Sequence, residues 1–146
     1  MLQAVIDTNI LVRANIKATG SDFRIFQAFL DGKFELLYSE MLIREVGEVL
    51  NYPRIFTKYH LTQKIISKFI ESIATFGKLV YSPKKVQICR DPEDDELFSI
   101  ALAVAHKKPI YIVSGDKDVL SLKGKIKEIS VLTAAEFLTK LSKQTN

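Results

Sequence analysis

Asp7, Glu45, Asp95 and Asp116 are the side chains of this protein best suited to chemistry. They sit in four short acidic elements that recur in order: Ile6-Asp7-Thr8-Asn9, Arg44-Glu45-Val46, Asp91-Pro92-Glu93-Asp94-Asp95-Glu96 and Ser114-Gly115-Asp116-Lys117-Asp118. Each element ends a buried strand-like run or lies on a helix just beyond one. Carboxylates gathered at one end of a sheet repel one another, and a bound divalent cation is the simplest compensation. The donors are oxygens alone, with no His or Cys in the set, so hard ions such as Mg²⁺ or Mn²⁺ are expected rather than Zn²⁺.

Each acid also has a plainer reading. Asp7 follows Ala4-Val5-Ile6 and precedes Ile10-Leu11-Val12, so it could cap a helix as readily as bind an ion. Asn9 adds a neutral polar group able to orient a carboxylate. Glu45 falls on the border of the apolar stripe Leu42, Val46, Val49 and Leu50, where for a single Glu an ion pair with Lys or Arg is the better explanation, while Arg44 and Glu48 point to solvent. Asp91 before Pro92 has the form of an N-cap with proline at the first helical position, and Asp94 then complements the helix N-terminus. That leaves Asp95, on the face with Phe98, Ser99 and Leu102, as the expected ligand and Asp94 as the reserve. Asp116 could simply cap the turn after Gly115.

The elements that must position these residues alternate. Residues 4–6 and 110–113 are short, continuously apolar and rich in β-branched side chains, as fully buried parallel strands are. Residues 34–38, 79–81 and 129–132 read as further strands, the last near an edge. Helical patterns cover 23–30, 41–50, 62–76, 94–105 and 134–141, and Asn51-Tyr52-Pro53-Arg54 and Tyr81-Ser82-Pro83-Lys84 read as turns. The spacing predicts an α/β fold with a mostly parallel central sheet and helices on both faces, whose ligands gather outside the carboxyl ends of the strands.

The chain's 146 residues, 47% of them hydrophobic, suffice for one domain with a real core, expected over 1–141 with a polar tail at 142–146. The formal charge of +4 permits a polyanionic partner. The lone Cys89 can form no intramolecular disulfide and has no partners at zinc-ligand spacing. No basic leader precedes the first strand and no apolar run approaches a membrane span, so a cytoplasmic location away from membranes is expected.

In this order and at these separations the four acidic elements resemble the PIN-domain ribonucleases, and more closely the VapC-like toxin components of toxin–antitoxin systems. Val5-Ile6-Asp7-Thr8-Asn9 is similar to that family's first motif. The stretch Ser39-Glu40-Met41-Leu42-Ile43-Arg44-Glu45-Val46, followed by Leu50-Asn51-Tyr52-Pro53-Arg54, is similar to its second. Asp91-Pro92-Glu93-Asp94-Asp95-Glu96-Leu97-Phe98 before an Ala-rich helix resembles the third, and Ser114-Gly115-Asp116-Lys117-Asp118 the fourth. The resemblance implies a single PIN-like domain acting as an endoribonuclease dependent on Mg²⁺ or Mn²⁺. It also implies RNA as substrate, an antitoxin protein as inhibitor in the toxin members, and frequent homodimers.

On that reading Asp7, Glu45, Asp95 and Asp116 hold the metal, while Asn9 and Ser114 position ligands or substrate. Arg13, Lys17, Arg24, Lys84, Lys85, Arg90 and Lys117 are the cations near the motifs able to meet an RNA backbone, although for any one of them a plain solvated charge is the better reading. The loop 17–22 could act as a substrate-side flap or equally be an idle surface loop. His60 and His106 lie away from the motifs, which argues against a nuclease built on a histidine pair. A haloacid-dehalogenase-like phosphatase would carry a second Asp where Asn9 stands. The remaining alternative is a catalytically silent module that binds RNA or a protein partner.

Overall fold

The computed structural model describes residues 1–81, 85–105 and 108–144, with the backbone alone at residue 93. Strands β1 (Gln3–Ile6), β2 (Glu35–Tyr38), β3 (Lys78–Leu79), β4 (Ile110–Val113) and β5 (Ile129–Leu132) form one sheet, parallel throughout, in the order β3-β2-β1-β4-β5. Val5 pairs with Leu37 on one side and Ile112 on the other. Both neighbours are buried along their whole apolar run, which requires cover on both faces.

That cover comes from helices α1 (Thr8–Ile16), α2 (Gly20–Leu30), α3 (Glu40–Leu50), α4 (Pro53–Phe56), α5 (Gln63–Phe76), α6 (Pro92–Val104), α7 (Lys117–Leu120) and α8 (Ala134–Gln144). Helix α6 packs across β1, β2, β4 and β5, whereas α1 lies against α2 and α3. Its composition suits that place, because Leu97, Phe98, Ile100 and Ala101 are all buried. Ser39 anchors α3 to it: the Ser39 hydroxyl accepts from the Leu42 amide at 3.2 Å and donates to Glu96 Oε2 at 2.5 Å.

The strand order sets the position of the site. From β1 the chain builds outward to β2 and β3, then crosses back to enter β4 on the other side of β1. Connections leaving β1 and β4 therefore diverge and open a crevice at their carboxyl ends. The Asp7 amide donates to the Val113 carbonyl at 2.9 Å, so Asp7 emerges at the last rung of the β1–β4 ladder.

Several local expectations change. Residues 8–16 form a helix of their own, capped by Asp7. The expected flap at 17–22 is largely absent, since Lys17 closes α1 and Gly20, Ser21 and Asp22 open α2. Pro53 and Arg54 start α4 rather than lying in a turn, and α8 continues to Gln144. β5 is an edge strand as expected. The turn about Pro83, the basic Lys84 and His106 fall outside the described residues. No helix among the described residues is long and apolar enough to cross a membrane.

Helix α8 carries a reciprocal N-terminal cap that can be tested. Thr133 Oγ1 accepts from the Glu136 amide at 3.2 Å, Glu136 Oε1 accepts from the Thr133 amide at 2.9 Å, and Lys123 Nζ meets Glu136 Oε2 at 2.6 Å. The Lys123 hydrogen bond, then the Thr133 amide, pull the Glu136 carboxyl down to about 2. A lowered carboxyl pKa stabilises the fold above the ordinary glutamate range and ceases to do so as pH falls toward 2. The pair is well exposed, so Glu136→Ala is expected to lower stability by only about 1 kcal/mol at pH 7. Denaturant titrations of both proteins at pH 7 and pH 2.5 should show that difference shrinking in acid.

Candidate active site

A cavity of about 250 Å³ opens at the carboxyl end of the sheet, lined by Asp7, Thr8, Asn9, Glu45, Glu48, Val49, Tyr52, Arg54, Asp91, Asp94, Leu97 and Asp116. Four separate segments thus bring an acid to one place. Asp7 arrives on the β1–α1 junction, Glu45 on α3, Asp94 in the first turn of α6 and Asp116 on the β4–α7 connection.

Asp7 and Asp116 are held by their own local structure. Asp7 caps α1, accepting from the Asn9 amide at 3.4 Å, and Asp116 caps α7, accepting from the amides of Asp118 at 2.8 Å and Val119 at 3.2 Å. Cap and cavity wall are therefore the same residues in both cases. Ser114, fully buried, ties the two together: its Oγ donates to Asp7 Oδ2 at 2.6 Å and accepts from the Asp116 amide at 3.0 Å. Ser114 orients the acids and does not itself line the cavity.

Asp7 is only 7% exposed. Burial raises its carboxyl pKa, opposed by the hydrogen bonds from Ser114 and Asn9 and by Arg13, while Asp116 adds to the rise. Asp94 is pushed up to about 7, first by partial burial and then by the negative charges of Asp116, Asp7, Asp91 and Asp118. The acids therefore feel one another through the cavity.

In the third motif the cavity is lined by Asp94, the reserve candidate, and not by Asp95, the expected ligand. Asp94 faces the cavity, and Asp95 faces away. Asp95 Oδ1 accepts from the backbone amides of Ile88 at 2.8 Å and Cys89 at 2.6 Å, and Ser99 one turn later accepts from the Val86 amide at 3.3 Å. The segment approaching α6 runs beside this face and needs acceptors there. Adjacent helical residues diverge by about 100°, so Asp95 cannot serve both sides. Asp94 shares its face with Asp91 and Leu97, three residues to either side. The neighbouring Cys89 thiol is pushed up to about 12 by burial and then by Asp95.

None of the expected cations among the described residues lines this cavity, although Arg13 stands near enough to hold the Asp7 carboxyl lower. Arg13 Nε pairs with Asp22 Oδ2 at 2.6 Å beside α2, Lys117 is exposed outside the cavity wall, and Arg24 borders α8. Arg54 was missed, as were Tyr52 and the rim acids Glu48 and Asp91; all four line the cavity. Their signal was the Tyr52-Pro53-Arg54 stretch directly after the helix that carries Glu45. Among the described residues no three His, Cys, Asp or Glu side chains are arranged to hold a metal ion together. The oxygen-only donors and their mutual repulsion fit a hard divalent cation in charge and chemistry.

Deleting the shared hydroxyl should be costly. Ser114→Ala leaves a buried carboxylate oxygen and the Asp116 amide without their partner, and is expected to lower stability by about 1–3 kcal/mol. Urea unfolding of the two proteins at pH 7 measures it; an unchanged midpoint would show that the bond contributes nothing.

Comparison with known proteins agrees with this architecture. Residues 3–118 match the family model described as PIN domain. An uncharacterised protein of Methanocaldococcus jannaschii, MJ1680, is 25% identical over 149 aligned positions, covering 97% of this chain and 93% of that protein. Among solved structures, VapBC2 from Rickettsia felis, bound to a DNA fragment from its promoter, superposes with a TM-score of 0.58. It is 11% identical, with 90% of this chain and 98% of that chain covered. The PIN domain of T. brucei RRP44 superposes at 0.53 and is 15% identical, with 98% and 82% covered. At those identities the structural likeness speaks for the fold, and the family match spans most of the chain: the protein belongs to the PIN-domain family.

Proposed function

We propose that this protein is an endoribonuclease that hydrolyses RNA phosphodiester bonds with Mg²⁺ or Mn²⁺. The observation that carries the reading is the convergence of Asp7, Glu45, Asp94 and Asp116, from four chain segments, on one cavity at the carboxyl end of the sheet. Such a group repels itself without a cation, and Asp94 registers that repulsion. Asp7, Glu45, Asp94 and Asp116 would hold the metal, with Asn9 and Ser114 orienting Asp7. When bound, the ion supplies positive charge at the phosphate oxygens and makes the attacking water more acidic. The chain's own part is to fix the carboxylates: Ser114 and the α1 and α7 amides lock Asp7 and Asp116, while Asp94 and Glu45 reach in from helices on either side. Likeness to a VapC-containing complex supports a toxin role with an antitoxin protein as partner, and a homodimer in the cytoplasm is part of the same reading.

One observation favours the alternative of a catalytically silent RNA- or protein-binding module: the described acids do not stand as a ready-made metal cage. Incubating the protein with a fluorescently labelled single-stranded RNA of degenerate sequence separates the readings. Cleavage in millimolar Mn²⁺ that stops on adding a chelator is the expected result. Intact RNA under both conditions would sink the nuclease reading.

A further inference from the structure

Arg54 stands out on the cavity wall because it is the one cation among the described residues lining it, facing six acids. Its guanidinium carbon lies 5.8 Å from the centroid of the Tyr52 ring. Tyr52 is itself 42% exposed at the same rim.

The pair is held firmly. Asn51 ends α3, its Nδ2 donating to the Gly47 carbonyl at 2.8 Å, while Gln63 Nε2 of α5 donates to Asn51 Oδ1 at 2.6 Å. Pro53 occupies the first position of α4 and restricts the backbone between Tyr52 and Arg54. The Ile55 and Phe56 amides both donate to the Tyr52 carbonyl at 2.8 Å. Tyr52 and Arg54 are thus presented to the cavity by the start of α4, tied through Asn51 to α3 and α5.

We propose that Arg54 and Tyr52 form the substrate-gripping wall of this site: Arg54 binds a phosphate of single-stranded RNA, and the Tyr52 ring stacks on an unpaired base beside it. This rests on the nuclease reading above. A planar guanidinium offers two parallel donors to phosphate oxygens, and an exposed aromatic face accepts any base that is free of a helix. The acids repel the RNA backbone, so the cation lining the same cavity determines where the strand can lie. A protein partner remains the other occupant that the test must separate.

The test uses the full chain and a 20-nucleotide single-stranded RNA of degenerate sequence carrying a fluorophore and quencher, in millimolar Mn²⁺. Arg54→Gln is expected to raise KM about tenfold or more with little change in kcat, and Arg54→Lys to recover part of that loss. The dependence of log affinity on log salt should become shallower by about 0.7, the share of one single-strand phosphate contact. Tyr52→Ala should raise KM about fivefold and Tyr52→Phe should behave as the parent. Lys58→Gln serves as a control: its ammonium lies over Tyr59 on the same segment, outside the cavity, and its KM should not move. Melting temperatures exclude unfolding as the cause. A parental KM and salt slope in Arg54→Gln, or an equal loss in Lys58→Gln, would overturn the inference while leaving the nuclease reading intact. Absence of cleavage by the parent protein would instead defeat both.

Discussion

Asp94→Asn is expected to lower RNA cleavage at least a hundredfold, whereas Asp95→Ala retains most of it. The structural reason is the divergence of the two side chains on α6, one lining the acidic cavity and the other bound to the amides of Ile88 and Cys89. Stability should move the opposite way. Removing Asp95 strips two backbone amides of their acceptor and should cost about 1–2 kcal/mol. Removing the Asp94 charge relieves repulsion. Because the Asp94 carboxyl pKa is raised to about 7, its ionised form disfavours the fold: the penalty is absent below the ordinary aspartate value, grows as pH rises, and is complete above 7. Metal-free Asp94→Asn should therefore melt higher than the parent at pH 8, with the gap closing by pH 4. Activity and melting curves on both variants decide the matter. An active Asp94→Asn beside an inactive Asp95→Ala of unchanged stability would return the catalytic role to Asp95.

The second large effect concerns the cation itself. Ions that bind the folded cluster and not the dispersed acids of the unfolded chain stabilise by mass action, about 1.4 kcal/mol at ten times the dissociation constant. Millimolar Mn²⁺ or Mg²⁺ should accordingly raise the melting temperature of the parent protein. Asp7→Asn should abolish both the thermal shift and cleavage, since Asp7 is buried at the junction of β1 and α1 with its carboxylate already oriented by Ser114. Calorimetry with each ion on both proteins measures this, and an equal shift in Asp7→Asn would place the metal elsewhere.

Much of the architecture was legible from periodicity. The apolar runs at residues 4–6 and 110–113 could be little but buried parallel strands, and they became β1 and β4. Alternation with helical patterns implied the parallel sheet, and the carboxylate ending each run pointed to its C-terminal edge. The helix at residues 8–16 follows β1 with no intervening loop, and its one sequence signal was the capping form of Asp7.

The sequence by itself determined that acids from four segments would be available and that their donors would be oxygen; it could not determine which of two adjacent acids on α6 would face the others. That choice was made by the return segment at 85–90, whose amides need acceptors and engage Asp95, turning Asp94 toward Asp7 and Asp116. The same holds for Arg54. In sequence it is a basic residue in a turn, indistinguishable from Arg13 or Lys117, and only the packing of α4 against the end of α3 sets its guanidinium on the wall of the acidic cavity. Local pattern records what a residue can do, and long-range contacts select which of equivalent neighbours does it, because burial and hydrogen-bond satisfaction are settled between segments distant in the chain.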